Sequence, residues 1–246
     1  MGKVFLAVAL LATIVQAQTK ETNTMREVEG AIDSRTFAVF DIDNTLISPS
    51  QTLGSDQWFE AQVKLQGFDK TLSKWLEVQK VTKVKPIEEA TPSMIQRLQE
   101  QGITIMALTA RPTEIANATR AQLKSVGIDL SRTAPLASSL EIEGKDEVAR
   151  YEGGILFAGK NQKGAILIKF LTTTGIHPER VVFTDDKAKH TGTVDAALNA
   201  IGIPNLEFRY GAADETVKSY DADVASIQLQ YFGGILPDEA AQTLLK

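Results

Sequence analysis

An apolar, β-prone run, Phe37-Ala38-Val39-Phe40, stops abruptly at Asp41-Ile42-Asp43-Asn44-Thr45, and no other stretch of the chain restricts its possible folds so strongly. A strand built from the run carries Asp41 to the edge of a sheet, and the turn that follows presents Asp43. Two carboxylates so close together repel unless a cation or a shared task holds them there. The pair therefore points to a metal-dependent site placed by a sheet.

Similar apolar runs recur at residues 103–108, 154–158, 180–184 and 205–210, which together with 36–40 makes five expected strands. A helical pattern separates each from the next, as a βαβ architecture requires. Thr91-Pro92-Ser93 opens one helix that Gly102 stops, and Pro112-Thr113 opens another that runs to Gly127. Residues 164–171 and 194–201 supply two more, closed by Gly175 and Gly202. The expected fold is α/β: a doubly wound, Rossmann-like, mainly parallel five-stranded sheet with helices on both faces. Such sheets bind ligands at the carboxyl ends of their strands.

Two stretches fall outside this frame. Residues 46–90 carry Trp58, Phe59, Val63, Leu65, Phe68, Leu72, Trp75, Leu76 and Val78 in an amphipathic pattern, expected to form two helices of a small cap inserted in a single domain. Residues 129–153 alternate weakly and read as an irregular insert, and residues 19–33 read as a frayed lead-in.

The absence of cysteine excludes disulfides, zinc–thiolate sites and a thiol nucleophile. Only His177 and His190 exist, which excludes a three-histidine zinc centre and leaves carboxylates to carry any metal chemistry. A net charge of -5 argues against a general nucleic-acid partner. Lys3, the apolar run from Val4 to Val15 and the small residue Ala17 read as a secretory signal over 1–17, too short to span a bilayer comfortably. The mature chain is expected to begin near Gln18, exported to the periplasm or secreted, with no stable membrane association.

Asp41, Thr109 and the pair Asp185-Asp186 each fall at the carboxyl end of an expected strand. Asp41-Ile42-Asp43-Asn44-Thr45, Leu108-Thr109-Ala110-Arg111-Pro112, Lys163-Gly164 and Phe183-Thr184-Asp185-Asp186 resemble, in order, the four motifs of the haloacid dehalogenase-like superfamily. The resemblance covers about two thirds of the chain and is similar to a subfamily of exported bacterial members. It implies an Mg²⁺-dependent phosphohydrolase acting on a small phosphomonoester through a phospho-aspartyl intermediate.

On that resemblance Asp41 is the nucleophile and Asp43 the proton shuttle, a second acid not expected in the dehalogenase branch. Thr109, with the amides around Ala110, binds a phosphoryl oxygen, and Lys163 neutralises charge on nucleophile and phosphate. Mg²⁺ would be held by Asp41, the backbone carbonyl of Asp43, and Asp185 with or without Asp186. Lys160 competes with Lys163 for the lysine role. Asn44 and Thr45 are turn residues or phosphate donors through their backbone amides, or both at once, and Asn44 is counted among the phosphate-binding residues. Ser55, Asp56 and Gln57 either cap a helix or touch substrate, while Trp58 and Trp75 read as core of the cap, and His190, Lys187 and Lys189 as a solvated face. Lysines 74, 80, 83 and 85 read as solubilising. A phosphotransferase or phosphomutase would share every motif, and a non-catalytic binding module on the same scaffold would have no need of Asp43.

Overall fold

In a computed structural model of the protein the described residues are 19–245, so the expected signal segment lies outside them. The described chain opens with β1 (Thr19–Thr22), α1 (Met25–Gly30) and β2 (Thr36–Phe40). An excursion follows through β3 (Ile47–Pro49), α2 (Asp56–Gln66), α3 (Phe68–Gln79) and β4 (Val84–Pro86). The chain returns as α4 (Thr91–Glu100), β5 (Thr104–Thr109) and α5 (Ala116–Ser125), the last entered through a 3-10 turn at Thr113–Ile115. Then come β6 (Leu140–Glu143), β7 (Val148–Glu152), β8 (Ile155–Phe157), α6 (Lys163–Thr174), β9 (Arg180–Asp185), α7 (Ala188–Ala200) and β10 (Asn205–Tyr210). Helices α8 (Asp214–Lys218), α9 (Ala222–Gln230) and α10 (Asp238–Leu244) close the described chain.

The fold is mixed α/β around a large, mostly parallel sheet. Its strand order is β1-β10-β9-β2-β5-β8-β7-β6, with parallel pairing from β1 to β8 and antiparallel pairing from β8 to β6. Along β2 the side chains alternate between two cores, as a period of two demands. Phe37 and Val39 pack with Ile166, Leu167 and Phe170 of α6 and with Val194 and Leu198 of α7. Ala38 and Phe40 pack on the other face with Met25 and Val28 of α1, Met94, Ile95 and Leu98 of α4, and Leu123 of α5. Burial on both faces explains why these strands read as unbroken apolar runs. Each large side chain placed there contributes about 1.5–3 kcal/mol.

The sheet has eight strands among the described residues, where five were expected. The five are its central parallel members, and the three others occupy the edges. β1 is Thr-Lys-Glu-Thr with three exposed residues, so only its backbone pairing with β10 makes it a strand. The expected frayed lead-in is in fact docked, since the Met25 amide donates to Glu88 Oε1 at 2.6 Å and Tyr210 Oη donates to the same oxygen at 2.5 Å. The expected irregular insert contains the hairpin β6–β7, whose alternation is confined to four residues of Leu-Glu-Ile-Glu and five of Val-Ala-Arg-Tyr-Glu, too short to stand out from a loop.

Within residues 46–90, β3 and β4 pair as an antiparallel stem beneath α2 and α3. The two helices enclose a separate apolar cluster of Leu53, Trp58, Trp75 and Val78, to which Ile115 and Ala225 of α9 also belong. Gln228 on α9 fastens the base of this unit, accepting from the Leu53 amide at 2.8 Å.

Glu207 on β10 is fully buried, and no donor reaches either of its oxygens. Burial, reinforced by the facing carboxylate Asp195 of α7, pushes its pKa from 4.5 up to about 8. A raised carboxyl pKa favours the folded state fully below the unfolded value, and that contribution is lost as pH climbs toward the folded value. Glu207→Gln is therefore expected to flatten the fall in stability between pH 5 and pH 8. At pH 8 it should be more stable than the parent by about 1–4 kcal/mol. Urea unfolding at a series of pH values measures this, and a variant less stable than the parent at pH 8 would contradict it.

Candidate active site

Three adjacent strands, β9, β2 and β5, deliver their ends to one edge of the sheet. Asp41 follows β2 directly, its amide donating to the Thr184 carbonyl at 2.8 Å, so it stands level with the end of β9. Asp185 closes β9 and Thr109 closes β5. Beyond Asp41 the chain turns tightly: the amides of Leu46 and Ile47 both donate to the Ile42 carbonyl at 3.0 Å. Asn44 takes φ 57°, a left-handed conformation that asparagine tolerates better than most side chains.

Lys163 is the first residue of α6 and is nearly as buried as the apolar core. Its Nζ donates to Asp41 Oδ1 at 2.5 Å and to Asp185 Oδ2 at 2.6 Å. The adjacent Gly164 lets α6 pass close to α7, because a Cβ there would collide with the Thr193 carbonyl. Lys160, the competing candidate, is exposed and lies 4.6 Å over the Phe68 ring, away from the carboxylates. The site lysine is Lys163.

Asp41, Asp185 and Asp186 each offer an oxygen to a common centre, all within 4.8 Å of one another. Burial pushes Asp41 up to about 7, with Lys163 opposing and the charges of Asp185 and Asp43 adding to the rise. Burial also pushes Asp186 up to about 8, helped by repulsion from Asp41 and Asp185. Against the cost of burial, Lys163 and then His190 hold Asp185 down at about 2. His190, expected on a solvated face, instead places Nδ1 3.1 Å from Asp185 Oδ2. Asn44 also has a different task from phosphate binding: its amide donates to the Ile47 carbonyl at 2.9 Å and its side chain to Asp186 Oδ2 at 3.3 Å. The Thr45 amide points back to Ile42 in the same turn.

The Asp43 carboxylate lies outside that cluster. Arg111 binds it through two parallel bonds, Nε to Oδ2 at 2.7 Å and Nη2 to Oδ1 at 2.8 Å. Burial would raise Asp43, but the Arg111 charge and its hydrogen bonds hold it below the usual carboxylate range. Arg111 is itself buried, its Nη1 donating to Thr119 and to Gln122 Oε1. Its amide donates to Thr109 Oγ1 at 3.1 Å, which leaves the threonine proton free for a ligand. Sequence reasoning assigned Arg111 no role. The available signal was an arginine two residues past a strand-end threonine.

A cavity of about 350 Å³ opens from Asp43, Ala110 and Arg111 outward beneath α2 and α3. Phe59, Phe68 and Trp75 form one wall, so Trp75 faces the cavity while Trp58 stays in the core beneath it. Ser55 is a helix cap, accepting from the Trp58 amide at 3.1 Å. Asp56 reaches the cavity instead, where it and Glu60 accept from Lys187 Nζ at 2.5 and 2.7 Å. Lys187 is therefore a bridge between the β9 edge and α2, where a solvated residue was expected.

A mostly parallel sheet that gathers three buried carboxylates and a buried lysine at one carboxyl edge defines an α/β protein with a cluster of oxygen donors able to hold a metal ion. The chain belongs to the family described as a protein of unknown function, DUF2608, whose pattern matches residues 21–242. A Chlamydia pneumoniae protein named "Putative outer membrane protein" is 26% identical over 92% of this chain and 89% of its own length. A Chlamydia trachomatis protein of the same name is 24% identical, covering 98% of this chain and 96% of its own. An uncharacterized protein of Rickettsia prowazekii is likewise 24% identical, covering 98% and 94%. No solved structure matches the chain.

Removing Lys163 leaves Asp41 and Asp185 facing each other without a counter-charge. Lys163→Met is expected to lose about 3–5 kcal/mol of stability in chelator-treated buffer, the usual cost of breaking a buried ion pair from one side. Urea denaturation reads this directly, and a loss below about 1 kcal/mol would show that the pair does not hold the edge together.

Proposed function

We propose that the protein is an exported, Mg²⁺-dependent phosphohydrolase of the haloacid dehalogenase-like type, acting on a small phosphomonoester through a phospho-aspartyl intermediate. The observation that carries the reading is the buried Lys163 bridging Asp41 and Asp185, with Thr109 at the neighbouring strand end. Motif residues scattered over more than a hundred positions meet at one edge of the sheet, in the arrangement a doubly wound phosphatase core with a helical cap over residues 46–90 would need.

The donor set suits a hard divalent cation. Asp41, Asp185 and Asp186 supply oxygens alone, they crowd one another, and burial first, then mutual repulsion, makes two of them hard to ionise, a cost that a cation would relieve. Those three residues, with the backbone carbonyl of Asp43, would hold Mg²⁺, whose charge would stabilise the negative charge on a transferring phosphoryl group.

In the first step an Asp41 oxygen attacks phosphorus, the phosphorus–oxygen bond to the leaving group breaks, and the leaving oxygen takes the proton that Asp43 gained from water in the preceding turnover. Lys163 keeps the nucleophile ionised and offsets the phosphoryl charge. Thr109 and the Ala110 amide orient the phosphoryl oxygens. In the second step Asp43 takes a proton from water as the water oxygen attacks phosphorus, and the bond to Asp41 breaks to release phosphate. The Arg111 clamp keeps Asp43 ionised, the form this base step requires. Relatives named as outer membrane proteins and the leader over 1–17 support export, and no helix among the described residues is long and apolar enough to cross a membrane.

Asp185→Ala is expected to weaken Mg²⁺ binding at least about tenfold by removing one oxygen from an ion that dehydrates reluctantly. Calorimetric titration checks it, and unchanged affinity would place the metal elsewhere.

Asp41→Asn should abolish turnover and phosphoenzyme together. Asp43→Asn should slow turnover by roughly 10²–10⁴-fold while phosphoenzyme builds up on Asp41 with an activated ester. Rapid quench followed by mass spectrometry of the Asp41 peptide separates the two. Wild-type turnover in Asp41→Asn, or a competent phosphoryl group on another residue, would refute the mechanism.

A further inference from the structure

The cavity beneath α2 and α3 has two kinds of wall. One is aromatic: Phe59 stands edge-on to both Phe68 and Trp75, with ring centroids 5.7 Å away in each case and interplanar angles of 89° and 66°. The other is acidic. Asp43, Asp56, Glu60, Glu114 and Glu147 all line the space, against Arg111, Lys187 and Lys160 as the lysine and arginine cations.

Pairing off these charges decides what remains for a ligand. Arg111 is taken by Asp43, and Lys187 by Asp56 and Glu60 together. Glu114 and Glu147 form no ion pair among the described residues. Lys160 is left with its Nζ 4.6 Å over the face of Phe68, an ammonium already resting on an aromatic ring. No serine, threonine, asparagine or glutamine lines the cavity among the described residues. Apart from the Trp75 indole and the His190 imidazole, a sugar or a nucleobase would find no neutral hydrogen-bonding side chain there. A second anionic group would meet a net negative wall. An ammonium group meets both aromatic faces and two carboxylates outside any ion pair, Glu114 and Glu147, the second of which also accepts from the Lys160 amide at 2.8 Å.

We propose that the substrates are phosphate monoesters of amino alcohols, of which phosphocholine is the simplest quaternary member. The ammonium end lies among Phe59, Phe68 and Trp75 with Glu147 and Glu114 near it, and displaces the Lys160 ammonium from Phe68. The substrate assignment rests on the phosphohydrolase reading, whereas the cation site itself does not. A volume of about 350 Å³ lies at the small end of ligand sites and suits a headgroup of this size.

The test pairs a charged ligand with its neutral isostere in two independent measurements. Calorimetry compares choline with 3,3-dimethylbutanol on the whole protein. Steady-state kinetics with Mg²⁺ compares phosphocholine with 3,3-dimethylbutyl phosphate, and p-nitrophenyl phosphate serves as a general phosphatase probe. Choline is expected to bind at least about tenfold more tightly than the alcohol, and kcat/KM to favour phosphocholine by a similar factor. Phe68→Leu and Glu147→Gln should each reduce both ratios severalfold, and Lys160→Met should strengthen choline binding by removing its competitor. Equal binding of choline and the neutral alcohol overturns the proposal, as does a kcat/KM preference for the neutral ester. If p-nitrophenyl phosphate and the neutral ester are turned over without any charge preference, the hydrolase reading survives and this one fails. Choline selectivity without turnover of any ester would sink the hydrolase reading and leave the ammonium site standing.

Discussion

The ammonium of Lys163, held between Asp41 and Asp185 with almost no access to water, is the contact on which the arrangement of the sheet edge depends. Two carboxylates delivered by neighbouring parallel strands repel, and burial multiplies that repulsion. A cation from a third element makes the edge tolerable, and it must arrive at a fixed height. The start of α6 supplies it, where the adjacent Gly164 lets that helix pass close to α7. A buried ion pair of this kind is weak evidence for stability, since apolar replacements often do as well. Its place at a strand edge accords with the chemistry proposed above.

A second buried polar chain ties the same edge to the helices above it. Arg111 holds Asp43 and hands its remaining amino group to Gln122. Gln122 donates to the backbone and side chain of Gln79 at the end of α3, and Gln79 donates to the Gly54 carbonyl ahead of α2. Both strands of chain that enter and leave the helical pair are thus connected to the one carboxylate that stands apart from the Asp41 cluster. A polar network that is satisfied throughout fixes geometry more firmly than its single bonds suggest. The orientation of Asp43 and the seating of α2 and α3 are consequently one constraint.

Strands β2, β5 and β9 were legible because burial on both faces makes them nearly unbroken apolar runs, β10 because Leu206, Phe208 and Tyr210 recur at every second position, and the strand ends because Asp41, Thr109 and Asp185 break the apolar pattern. Lys163 could be read against Lys160 because it opens a helical repeat. The edges were not legible. β1 contributes backbone bonds to β10 and hides no side chain that a hydropathy pattern could register, and β6–β7 is exposed on one side. The segment after Tyr210 was also left unread, although α9 buries Val224 and Ala225 and closes the apolar cluster under the helical pair. Arg111, Lys187 and His190 were missed because their partners, Asp43, Asp56 and Asp185, are set by folding. A charged residue beside a motif looks alike in sequence whether it is solvated or buried.

This division separates the reacting end of the site from its selective end. Asp41, Lys163, Thr109 and Asp185 come from the regular core, where strand register dictates position. The cavity wall comes from α2 and α3, whose placement depends on apolar packing with α9 and on Gln228 and Asp238 gripping the loop at Thr52 and Leu53. Those contacts fix where Phe59, Phe68 and Trp75 stand without dictating which side chains face the cavity. On the phosphohydrolase reading proposed above, the core edge would serve any ester, and the choice of leaving group would be written in cavity residues that no motif marks.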